Sequence, residues 1–78
     1  MTKLPVVSSK ELIRALRKAG FEDAPKRGKG SHIGLIKRAQ GITKLVIVPD
    51  SKTIPKGTLR AILDQAGLSR EEFLKFLE

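Results

Sequence analysis

The stretch SHIGLIKRAQGITKLVIVP, residues 31–49, decides the fold. Ser31 to Arg38 reads as a strand, Ala39-Gln40-Gly41 as a turn, and Ile42 to Val48 as a further strand rich in β-branched residues. Successive side chains of a strand point to opposite faces. Ile33, Leu35 and Lys37 therefore share one side, and His32, Gly34, Ile36 and Arg38 the other. Ile33 and Leu35 make the better core pair, which leaves His32 on the more open face. The Ile42 strand is apolar from Leu45 onward and is expected at the centre of the sheet, with Pro49 ending it.

Upstream of this stretch, Ser8-Ser9-Lys10-Glu11 fits a capping box, and Val7 and Leu12 are spaced as a hydrophobic staple. Leu12, Ile13, Leu16 and Ala19 recur at helical spacing before Gly20, which predicts a helix over residues 9–19. Phe21 to Arg27 reads as a weak first strand, and Pro25 confines it to an edge or a bulge. Downstream, Asp50 to Ile54 is a loop. Pro55 suits the first position of a helix whose apolar stripe is Leu59, Ile62, Leu63 and Ala66 and whose stop is Gly67. Ser69-Arg70-Glu71-Glu72 is a second capping box, opening a short helix with Phe73, Leu74, Phe76 and Leu77. The order α-β-β-β-α-α predicts an α+β fold in one domain over residues 1–78: a three-stranded antiparallel sheet with helices packed on one face.

Charge and composition narrow the function. Sixteen Lys and Arg against eight Asp and Glu give a net charge of +8, a field that draws polyanions. Nucleic acid is the first partner to consider, an acidic protein the second, a membrane surface the third. The three Phe residues are the only aromatics, too few for a surface that stacks single-stranded bases. There is no cysteine and one histidine, so neither a disulfide nor a zinc site is expected. No phosphate-binding or dinucleotide-binding glycine pattern occurs, and Ser31 points away from His32 along the strand, so those two cannot form a hydrolase pair. No signal peptide or membrane span is evident, so a cytoplasmic protein is expected. The predicted first helix carries Lys10, Arg14, Arg17 and Lys18 as a basic stripe opposite its apolar one.

What remains for chemistry is His32. Imidazole both accepts and donates a proton near neutral pH, and RNA carries its own nucleophile in the 2′-hydroxyl. A base that removes that proton, among cations that stabilise the developing phosphoryl charge, is enough to cut it without a metal or cofactor. Lys26, Arg27, Lys29, Lys37 and Arg38 lie near His32 by sequence or on the paired strands, and Gly30 allows backbone N–H groups close approach to a phosphate. Lys56 joins these candidates because a helix N-terminus favours anions, although Pro55-Lys56-Gly57-Thr58 reads first as an ordinary helix start. The alternative is a non-catalytic RNA-binding module in which His32 plays no part.

Six segments carry a resemblance beyond these physical readings. LPVVSSKELI (4–13), KAGF (18–21), RGKGSH (27–32), VP (48–49), IPKGTLRAIL (54–63) and QAGLSREEF (65–73) resemble, in order and spacing, successive motifs of the HicA family. Its members are small toxins of type II toxin–antitoxin pairs that act as mRNA interferases. The resemblance implies an αβββα double-stranded-RNA-binding-like fold, ribonuclease activity without a metal, and neutralisation by a cognate HicB-like antitoxin. It also implies that His32, at the histidine of the family's RxxGSH segment, is catalytic. Three departures stand out. Ile33 replaces a second histidine found in many members, Leu35 replaces an aromatic, and the segment from Phe21 to Arg27 is longer than usual and holds Pro25.

Overall fold

A computed structural model describes residues 4–24, 30 and 32–77. The elements are α1 (Ser9–Lys18), β1 (Glu22–Asp23), β2 (His32–Ala39), β3 (Ile42–Pro49), α2 (Lys56–Ala66) and α3 (Arg70–Leu77). Among the described residues, three helices and an open three-stranded antiparallel sheet make the α+β fold that the element order predicts.

The helix ends form where short-range chemistry puts them. Ser8 caps α1: Glu11 N–H donates to Ser8 Oγ at 3.2 Å, and Ser8 N–H donates to Glu11 Oε1 at 3.0 Å. Ser69 and Glu72 repeat the exchange before α3, at 3.0 and 3.1 Å. The Ser69 N–H bond, with the serine hydroxyl, holds the Glu72 carboxyl below its ordinary range. This cap is complete above the ordinary carboxylate range and is lost as pH falls through that lowered value. At the other ends, Phe21 N–H reaches Leu16 O and Gly20 N–H reaches Arg17 O. The same pair, Leu68 to Leu63 and Gly67 to Asp64, closes α2. Both closures need a left-handed residue, and Gly20 (φ 104°) and Gly67 (φ 73°) supply it.

Three expectations are corrected. The sheet order is β1-β2-β3, so β2 is central and β3 is an edge. The apolar character of β3 serves two different surfaces: Val46 and Val48 are buried under the helices, whereas Leu45 on the alternate face is exposed. Apolar content reported burial of one face, not position in the sheet. The first strand is only Glu22–Asp23, paired with Ile36 and Leu35. The rest of its expected range, apart from Phe21 and Ala24, lies outside the described residues, as does Ser31. Pro55 has ψ 145°, an extended value, and so sits at the N-cap of α2 rather than in its first turn.

Gln40 and Gly41, both with positive φ, join β2 to β3 as a two-residue hairpin turn whose backbone matches the strand twist. One face of the sheet carries Leu35, Val46 and Val48 into the core, where they meet Leu12 and Leu16 of α1, Leu59 of α2 and Phe73 of α3, all fully buried. Burying each such side chain contributes about 1.5–3 kcal/mol relative to exposure. Ile33, half-buried, packs against the same core, as its parity with Leu35 requires.

Candidate functional site

The register of the hairpin sets the opposite face. His32 pairs with Pro49, Gly34 with Ile47, Ile36 with Leu45 and Arg38 with Thr43. These residues point away from the helices. His32, Arg38, Thr43 and Leu45 are exposed, and Ile36, Ile47 and Pro49 are half-buried. His32 thus opens β2 with its side chain toward solvent, on the face its parity predicts.

The cations expected around it divide by place. Gly30, two residues before His32, has φ 64° and open space where a side chain would lie. Lys26, Arg27 and Lys29 lie outside the described residues. Arg38 shares the face of His32, but six residues of strand place it about 20 Å away. The two side chains cannot meet at one phosphate.

Lys37 lies on the other face altogether. Its ammonium donates to Ala19 O at 2.7 Å and stands 5.9 Å from the Phe21 ring centroid. There it meets a helix C-terminus, where a cation is favoured. Lys44, directly opposite Lys37 in the ladder, reaches the corresponding end of α2: a Cβ built on Gly67 would lie 2.5 Å from its Nζ. Two like charges facing each other across strands would repel; these splay to two helix ends. Lys37, expected among the RNA-binding residues, is committed to closing α1. Lys37→Met should therefore lower the unfolding free energy by about 1 kcal/mol in urea titrations.

His32 is not isolated from the rest of the molecule. Beyond its partner Pro49 the chain enters Asp50-Ser51-Lys52, which is bonded to the start of α1. Ser9 N–H donates to Ser51 O at 2.9 Å, Ser51 N–H to Ser9 Oγ at 3.3 Å, and Ser9 Oγ to Asp50 Oδ1 at 3.4 Å. Ile54 N–H then donates to Val7 O at 2.8 Å, leading into α2. The starts of β2, α1 and α2 therefore gather at one end of the fold. Lys56 is exposed in the first turn of α2, which has neither a side-chain cap nor an acidic residue. That turn can offer N–H donors and a cation to an anion. Lys52 belongs to the same end. No periodicity marks a loop lysine, so only the Ser9–Ser51 contact reveals it.

Among the described residues no three His, Asp or Glu side chains cluster as a metal site requires, and no helix is long and apolar enough to cross a membrane. A family model described as "HicA toxin of bacterial toxin-antitoxin" matches residues 9–68, which run from α1 through α2 to Leu68. No curated protein matches the chain.

Proposed function

The chain belongs to the HicA toxin family of bacterial toxin–antitoxin systems, and from that premise we propose that it is a metal-independent endoribonuclease acting on mRNA in the cytoplasm. The observation that carries the reading is the exposed imidazole of His32 at the start of β2, the chain's only histidine, in a protein of net charge +8. His32 takes the proton from a ribose 2′-hydroxyl. The 2′-oxygen attacks the adjacent phosphorus, the bond from phosphorus to the 5′-oxygen breaks, and water protonates the leaving oxygen. The products end in a 2′,3′-cyclic phosphate and a 5′-hydroxyl. Lys26, Arg27 and Lys29, three to six residues before His32 in sequence, together with Gly30 and the first turn of α2 at Lys56, hold the phosphoryl oxygens. The family implies a cognate antitoxin, which silences the toxin by covering His32.

The test uses RNA against the same sequence methylated at every 2′-oxygen, both with a chelator present. The unmodified strand should be cut to cyclic-phosphate ends, and the methylated strand should bind and stay intact. Cleavage of the methylated strand, or loss of cleavage on chelation alone, overturns the mechanism. Binding of both without new ends leaves a non-catalytic RNA-binding module.

A further inference from the structure

Beyond the residues around His32, α1 presents a second cationic surface. Lys10, Arg14 and Arg17 line one shallow groove with Ile13, and Lys10 also lines the adjoining cleft of Ser8, Ser9, Asp50, Ser51 and Lys52. Lys10 lines both, so the two grooves adjoin and place Lys52, Lys10 and Arg14 in succession along the start of α1. Among the described residues neither Lys10 nor Arg14 has a carboxylate partner, whereas Arg17 is held by Asp23 at 2.8 Å. Of the nearby carboxylates, Asp23 is paired with Arg17, Glu11 accepts from Ser8 in the cap, and Asp50, which lines the cleft, accepts from the Ser9 hydroxyl at 3.4 Å.

We infer that this track, Lys52–Lys10–Arg14, is a second phosphate-binding site that holds the RNA strand beyond the cut made at His32. The inference rests on the RNA-cleavage reading above. A helix rises 1.5 Å per residue, so Lys10 and Arg14 are spaced about 6 Å along α1, comparable to neighbouring phosphates on one nucleic-acid strand. The track starts at the end of the fold that holds His32: Pro49 faces His32 in the ladder, and Ser51, two residues on, is bonded to Ser9. A paired strand lies about 5 Å away, and two residues of chain add at most about 7 Å. A few nucleotides therefore connect the two places. The surface also has the wrong character for a protein partner. Protein interfaces have an apolar centre, and interfaces with nucleic acid are polar and positive. Of the exposed large hydrophobics among the described residues, Ile42 and Leu45 are on β3, and only Val6 is near the start of α1.

Binding is measured on a His32→Ala background, so that no RNA is cut. The probe is a labelled single strand, long enough to pass beyond the cut site, titrated across NaCl concentrations. Lys10→Gln with Arg14→Gln should reduce the slope of log affinity against log salt by about 1.4, since each phosphate contact on a single strand contributes about 0.7. Both positions are exposed, and melting curves confirm that the variant folds. Arg60→Gln with Lys75→Gln, equal in charge but on α2 and α3, should leave the slope unchanged. With His32 restored, KM for the long strand should rise while an oligonucleotide confined to the cut site is cleaved as before. An unchanged slope, or an equal fall in the Arg60 and Lys75 control, overturns the track. So does loss of antitoxin binding with an unchanged slope, which makes the surface a protein-docking one. Absence of RNA binding by the parent protein overturns the RNA-cleavage reading itself, a result separate from these.

Discussion

His32→Ala should reduce RNA cleavage by about 10²–10⁴-fold, the usual contribution of a positioned general base, while leaving the protein folded. Three observations meet in this expectation. His32 is exposed at the start of β2, so truncating it opens no cavity and should change stability by no more than about 0.5 kcal/mol. It is the chain's only histidine, so no other imidazole can take over the proton. The neighbouring residues on its face, Gly34, Ile36, Leu45, Ile47 and Pro49, carry no ionisable group. RNA affinity should persist, because the cations that supply it are other residues. In cells, expression of the wild type should arrest growth and expression of the variant should not. A variant that cuts RNA at the wild-type rate would remove His32 from the mechanism. A variant that melts far below the wild type would instead make it structural.

How much of this was legible in the chain depends on the range of the interaction. The caps were, because Ser8 with Glu11 and Ser69 with Glu72 are exchanges over three residues that need no other part of the fold. The face of His32 was, because strand parity is local. The place of β3 was not. Its Val46 and Val48 say that one face is buried, but which strand is central follows from where β1 adds to the hairpin. Lys37 shows the same limit more sharply. Its parity with Leu35 already placed it on the helix-covered side, yet its charge suggested phosphate. What claims it is Ala19 O, a carbonyl eighteen residues away that becomes a partner only once α1 has docked. The gathering of His32, Ser9, Lys52 and Lys56 at one end is likewise a product of packing. The Ser9 and Ser51 contacts that create it span more than forty residues.

Phe73→Ala should destabilise the protein by about 3–5 kcal/mol, the typical cost of emptying a buried aromatic position. Phe73 has 0% exposure and is among the largest fully buried side chains, and it is the buried residue of α3. That helix follows the stretch matched by the HicA family model, which ends at residue 68. If α3 were an appendage, its loss would leave the rest of the fold intact. The packing says otherwise. Phe73 belongs to one cluster with Leu12 and Leu16 of α1, Leu35 of β2 and Leu59 of α2, and a chain this short has a stability of only about 4–12 kcal/mol to lose. For a domain of this size each kcal/mol moves the melting temperature by about 4–8 °C, so a fall of at least roughly 12 °C is expected. Phe73→Leu, which keeps most of the volume, should recover the larger part of it. Urea unfolding adds a second readout. If α3 folds with the remainder, Phe73→Ala shifts the single transition to lower urea with the same slope. A slope that falls, with the midpoint nearly unmoved, would mean that α3 had undocked alone and that residues 9–68 carry the fold without it.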